Sequence, residues 1–532
     1  MGRFRAQAVC AAIVVAGGLG LTLRGQDDDA RLQVLQNVGL PAIDEGLLLR
    51  EARLQDRVGA SGARYRAGRV VVKFREEAAM PERRAAVRAA SDTGEIAVRP
   101  SYADFDIVRI DPSEDAEEAA SVLRQRPEVQ YAQVAHRVHA LLVPNDPLYL
   151  SQQWNLPLIN MEKAWDIQPQ AGSAITVAVI DTGMAYLNAT ITATLPAFRD
   201  RNGRLYPALG RVTIPYSAAP QLVSPTGSSR IVAPHDFVNE TTTPLDFEGH
   251  GTHVSGTIGQ LTNDAIGTAG VAYNVKLMPV KVLASEWDLL FAGFTNISNT
   301  GGSDDDVARG IRYAADNGAK VLNMSLGSSG PANCATSPNQ SDCSPVIEAA
   351  LRYAVGKGCF IAVAGGNEFE DTVPLYGKNP TSVIAEIASR IPGVVSVASV
   401  DKAKDHAFYS SSGSYIELAA PGGSSRSSPP LGVVQQTFDN SFTDTFLLSP
   451  AQFRAPRFDV MAYLAYQGTS MASPHVAGVA AMLMQQGITD PAVIEEILEK
   501  TAVDLGSPGR DNTFGFGLVD ARAALRGLGL AM

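Results

Sequence analysis

The sequence predicts an α/β protein: a three-layer α/β/α unit around a mainly parallel sheet, preceded by a small α+β domain. From Leu148 onward, short Val/Ile-rich runs of nearly continuous apolar character alternate with longer helical stretches. Strands buried on both faces and linked by crossover helices read this way. Before them, Arg69 to about Val143 alternates strand and helix signals on a smaller scale. A chain of 532 residues has room for both units, and 45% hydrophobic against 19% charged residues marks it as globular. The formal charge of −11 argues against nucleic acid or an anionic membrane as the main partner.

Residues 1–25 read as an export signal. Arg3 and Arg5 precede an apolar stretch from Ala6 to Leu23, and a polar run follows. That stretch is near the lower limit for spanning a bilayer, so no stable membrane anchor is expected. Residues 26–68 mix acidic and basic residues without a clear period and receive no structure. In the small domain, residues 69–143, strands are expected at 70–74, 95–102, 105–110 and 129–134. One helix is expected at 81–90, with proline near its start. A second, at 114–125, has Ser113 as N-cap and acidic residues in its first turn.

In the large unit, residues 144–532, strands are expected at 175–180, 275–282, 321–324, 360–364, 394–399 and 416–419. Helices are expected at 250–260, 304–317, 345–356, 470–485 and 491–500. Ligands of such sheets sit at the carboxyl ends of strands, where Asp181 and Asn367 fall. Cys334 and Cys343 bracket a polar loop and are expected to pair in an oxidising compartment, contributing roughly 2–3 kcal/mol. Cys359 opens an apolar run and reads as a small buried hydrophobe.

Three distant stretches carry a carboxylate, an imidazole and a hydroxyl. Asp181 lies in Val179-Ile180-Asp181-Thr182-Gly183, His250 in Gly249-His250-Gly251-Thr252-His253, and Ser470 in Gly468-Thr469-Ser470-Met471-Ala472. A hydroxyl becomes a nucleophile when a base takes its proton, and an imidazole is the better base when a carboxylate fixes its tautomer. The chain order separates classes. An α/β-hydrolase runs Ser, Asp, His with serine in G-x-S-x-G, and a chymotrypsin-like chain places His first; neither fits. His250 and His253 are three apart without the glutamate of H-E-x-x-H, which argues against zinc. His475 reads as a packed core imidazole.

On these motifs the chain resembles the subtilisin-like serine proteases from about Asn145 to Leu525, and the Asp, His, Ser order is the one known for that family. The resemblance implies a secreted serine endopeptidase, extracellular or periplasmic, acting on extended protein or peptide substrates as a monomer. Asp181, His250 and Ser470 would form the catalytic triad, His253 a structural support. Asn367, in Ala364-Gly365-Gly366-Asn367-Glu368, would be the oxyanion donor. Ser325, Leu326 and Gly327 would pair with substrate, and Gly365, Gly366 and Glu368 would line the pocket beside the scissile bond.

The small domain resembles that family's propeptide, a ferredoxin-like intramolecular inhibitor removed by self-cleavage between Ala135 and Asn145. Two stretches, about 197–233 and 423–463, look inserted and read as surface loops. No cofactor is needed for the chemistry. Structural Ca²⁺ is left open: Leu261, Asn263 and Ile266 lie in a loop similar to the family's site, but Thr190 stands where an aspartate is expected. The alternative from another class is a catalytically silent binding protein of the same fold.

Overall fold

The protein is described by a computed structural model. It describes residues 56–58, 64–97, 99, 102–136, 143–200, 203–223, 230–298, 300–331, 343–373, 376–427, 431–443 and 454–526. The expected leader, most of segment 26–68 and Cys334 lie outside these residues. The chain divides into two units, residues 1–138 and 139–532.

The first unit contains β1 (Asp56–Val58), β2 (Arg64–Phe74), α1 (Met80–Ala90), β3 (Glu95–Ile96), β4 (Asp106–Arg109), α2 (Ala116–Arg124) and β5 (Val129–His136). Its antiparallel sheet runs β1-β2-β4-β3, with β5 on the free side of β2. Val70, Val72 and Phe74 alternate onto the face that meets Val87 of α1 and Leu123 of α2. The N-cap of α2 is Asp115, whose carboxylate accepts from the Glu117 and Glu118 N–H groups. The expected cap, Ser113, instead donates to Asp111. The strand expected over 95–102 is the two-residue β3.

In the second unit, seven strands form one sheet: β6 (Thr176–Asp181), β9 (His235–Asp236), β10 (Lys276–Lys281), β11 (Val321–Met324), β12 (Phe360–Ala364), β13 (Val394–Val400) and β14 (Leu418–Pro421). The order is β9-β10-β6-β11-β12-β13-β14, with every pairing parallel. Successive side chains of β6 enter opposite cores: Val177 and Val179 join one, Ala178 and Ile180 the other. α3 (His250–Gly259) and α6 (Thr469–Gln485) cover the first face, and α4 (Asp304–Asp316) and α5 (Pro345–Gly356) the second. α7 (Pro491–Thr501) packs beside α6 through Ile494, Ile497 and Leu498. Cys359 is fully buried, and burial pushes its thiol up to about 11. Cys343 is disulfide-bonded.

The two stretches read as surface loops each contribute strands to an ordered hairpin. β7 (Ala189–Leu195) pairs with β8 (Gly210–Tyr216), and β15 (Val433–Phe438) pairs with β16 (Met461–Tyr466). All six residues of β15 are buried although its sequence is Val-Val-Gln-Gln-Thr-Phe. Its polar side chains are satisfied across the fold: Gln435 accepts from Thr268 Oγ1 at 2.9 Å and donates to the Ala269 carbonyl at 3.1 Å. Thr437 donates to the Gly249 carbonyl at 2.6 Å. These polar residues disguised a buried strand as a loop.

Candidate active site

β6, β11 and β12 are neighbours in the sheet, so their carboxyl ends bring Asp181, Ser325 and Asn367 to one edge. Asp181 is fully buried, and its Oδ1 accepts from His250 Nδ1 and from the Thr182 N–H, both at 2.7 Å. His250 opens α3 with 22% of its side chain exposed, which leaves the ring's far edge toward solvent. Burial works to lower the imidazole's proton affinity. Asp181, by charge and hydrogen bond, with Glu248 and Asp246, outweighs it and raises the pKa to about 9.

Ser470 lies in the first turn of α6, where helix N–H groups lack intrahelical acceptors. Its N-cap, Gly468, has φ of +151°, a backbone angle that side-chain-bearing residues rarely adopt. Pro474 has no N–H to give the Ser470 carbonyl four residues earlier. Ser325 Oγ supplies the missing donor at 2.7 Å. In return, Ser470 Oγ donates to the Ser325 carbonyl at 3.3 Å. No hydrogen bond joins Ser470 to His250 among the described residues. The structure brings acid, base and hydroxyl to one edge, with the hydroxyl turned toward Ser325.

Asn367 is exposed and its amide is oriented: Oδ1 accepts from the Thr469 N–H at 2.9 Å and from Thr469 Oγ1 at 3.0 Å. With the oxygen so held, the NH₂ group is the free end. Gly366 and Gly327 approach Ser382, and Gly366 also approaches Ser411 and the Glu368 carboxylate. Glu368 accepts from the Asn367 N–H at 2.8 Å. Gly365 packs against Val397 and Ile416. Leu326 is half-buried and packs against the edge of the second core.

His253 and His475 are structural by their contacts. His253 Nε2 donates to the Val433 and Leu464 carbonyls at 3.0 and 3.1 Å, and its ring stacks on Tyr466. His475 Nδ1 donates to the Met471 carbonyl and Nε2 accepts from Asn155, both at 2.8 Å. Burial lowers the two to about 3 and about 4, so both are neutral. His253 Nε2 is thus committed to the Val433 and Leu464 carbonyls.

In the loop with Leu261, Asn263 and Ile266, the Asn263 side-chain oxygen accepts from the Asn145 N–H at 3.3 Å. The Asp146 carboxylate accepts from the Asn263 and Asp264 N–H groups at 2.8 and 3.3 Å. Thr190 is exposed and pairs with Pro215 in the β7–β8 hairpin.

Sequence reasoning missed Thr182, Asp246 and Thr252, buried polar residues beside the Asp181–His250 pair.

The model of the subtilase family matches residues 172–517, and that of the fervidolysin N-terminal prodomain matches residues 53–134. An extracellular protease of Xanthomonas campestris pv. campestris is 32% identical over 79% of this chain, which spans 63% of that relative's length. A thermophilic serine proteinase of a Bacillus species is 28% identical over 84% of each chain. Thermitase of Thermoactinomyces vulgaris is 30% identical, covering 69% of this chain and 94% of the relative. No helix among the described residues is long and apolar enough to cross a membrane.

Proposed function

The chain belongs to the subtilase family, and on that premise we propose that it is a secreted serine endopeptidase, made with an inhibitory prodomain, that works through an Asp181–His250–Ser470 triad. The observation that carries the reading is the 2.7 Å bond from His250 to buried Asp181, at the sheet edge that also holds Ser470 and the oriented Asn367 amide. Extended substrate pairs with the main chain of residues 325–327, and the glycine-lined recess by Glu368, Ser382 and Ser411 takes the side chain beside the scissile bond. Rotation about the Ser470 Cα–Cβ bond exchanges the Ser325 carbonyl for His250 Nε2. Such catalytic hydrogen bonds commonly form only with substrate in place.

The hydroxyl oxygen then attacks the scissile carbonyl carbon while its proton passes to His250 Nε2. Asp181 stabilises the resulting imidazolium. The carbonyl oxygen becomes an oxyanion that accepts from Asn367 Nδ2 and the Ser470 N–H. Collapse breaks the C–N bond, and His250 returns the proton to the leaving amine. Water, deprotonated by the same imidazole, releases the acyl group and restores Ser470.

Secretion is supported by the leader's composition and by relatives named as extracellular. A bond between Cys343 and Cys334 suits that compartment. Ser470→Ala is expected to abolish peptide hydrolysis, labelling by a fluorophosphonate, and removal of the N-terminal unit. Retained hydrolysis or self-processing in that variant would overturn the triad.

A further inference from the structure

The structure assigns Asp246 as the positioning residue that, through the hydroxyls of Thr182 and Thr252, locks the start of the His250 helix against the end of the Asp181 strand. The inference rests on the triad reading and adds to it what sets the distance between acid and base. Asp246 is fully buried in the loop before α3. One carboxylate oxygen, Oδ1, accepts from Thr182 Oγ1 at 3.0 Å and from the Glu248 and Gly249 N–H groups at 2.9 and 2.8 Å. The other, Oδ2, accepts from Thr252 Oγ1 at 2.6 Å and the Thr252 N–H at 2.9 Å.

Each hydroxyl spends its only proton on Asp246, so each must accept from elsewhere. Thr182, on the strand side, accepts the Gly251 N–H of the helix at 2.9 Å. Thr252, on the helix side, accepts the Ala185 N–H of the strand-end segment at 3.0 Å. The two segments thus exchange hydrogen bonds, and the central carboxylate sets the direction of both. The backbones meet without spacing: a Cβ on Gly183 would lie 2.7 Å from the Pro244 carbonyl oxygen, and one on Gly251 would overlap the Gly183 carbonyl oxygen. A carboxylate at a helix start is also favoured by the unpaired N–H groups there.

Asparagine at 246 replaces one accepting oxygen by an NH₂ group, which faces donors and breaks one half of the exchange. Misplacing a catalytic group by about 1 Å costs on the order of 10²-fold in rate. The ionisable groups facing His250 are Asp181 at the strand end, Glu248 and Asp246 in the preceding loop, and neutral His253 on α3.

Processed Asp246→Asn and Thr182→Val enzymes are to be compared with wild type on a chromogenic peptide across pH. Asp246→Asn is expected to lose about 10²-fold in kcat, with KM little changed, and Thr182→Val to lose less. Both should move the acid-limb midpoint of kcat/KM down toward the ordinary histidine value. Thr182→Ser, which keeps the hydroxyl, should restore both quantities. Unchanged kcat and midpoint, with only the melting temperature lowered, would overturn the assignment. If Asp246→Asn does not fold, Thr182→Val and Thr182→Ser decide.

A readout independent of turnover separates this proposal from the triad. In Ser470→Ala protein labelled at histidine, the low-field His250 Nδ1 proton should be present and should weaken when Thr182→Val is added. Its persistence unchanged refutes the latch even for an inactive wild type, whereas an active wild type with indifferent variants refutes the latch alone.

Discussion

Asn367 shows how a side chain acquires direction from its neighbours. Thr469 holds the amide oxygen from both its N–H and its hydroxyl, so the NH₂ end alone can meet developing negative charge. Leucine at 367 keeps the volume and removes the donor. Asn367→Leu is therefore expected to lower kcat by about 10²–10³-fold with little change in KM, the magnitude established for an oxyanion donor of this family. Steady-state kinetics on a short peptide measure it, and a loss confined to KM would place the amide in ground-state binding instead. At this scale the sequence singled out residues whose chemistry is written in one short motif, Asp181, His250, Ser470 and Asn367, and the fold brings them to one edge of the sheet. Thr182, Asp246 and Thr252 were not singled out, because their partners are chosen by two backbones that meet only in the fold.

Elements show the same division. The seven strands of the sheet, save the two-residue β9, announce themselves as apolar runs because both faces are buried. β15 does not, since Gln435 and Thr437 are buried with their hydrogen bonds made across the fold to Thr268, Ala269 and Gly249. Through Thr437 and the carbonyls that receive His253, that hairpin braces the histidine helix.

α7 carries a different tension. Its Glu495 and Glu499 approach buried Glu417, with carboxylate oxygens within 4.8 Å of one another. Burial first, then the two neighbours, pushes Glu417 up to about 8, against the Ser396 N–H and Arg510; burial and Glu495 raise Glu499 to about 7. Carboxyls whose proton affinity is higher folded than unfolded stabilise fully below about 4.5, the ordinary value, and lose that contribution as pH rises through about 8. The melting temperature of Ser470→Ala protein, immune to self-digestion, should fall across that window. Glu417→Gln, which keeps an oxygen for the Ser396 N–H, should flatten the fall. Parallel curves for the two proteins would show that the cluster does not titrate there.

For the whole molecule, the decisive question is where the chain can be cut without dismantling either unit. β5 runs to His136 and is hydrogen-bonded along β2, so a cut upstream of its end removes a strand from the first unit's sheet. From Asn145 the chain is already tied to the second unit. Asn145 exchanges hydrogen bonds with Asn263 and Ala265, Asp146 accepts from Asn263 and Asp264, and the Leu148 N–H reaches the Gly267 carbonyl. Cleavage beyond Asp146 would free the loop that follows the histidine helix from these partners. A break between His136 and Asn145 therefore spares these contacts of both units. N-terminal sequencing of mature protein is expected to begin between His136 and Asn145, while Ser470→Ala protein keeps the two units joined. A mature terminus near Arg31 would mean that the first unit stays attached to the working enzyme, and its role would then be that of an accessory domain rather than a removable inhibitor.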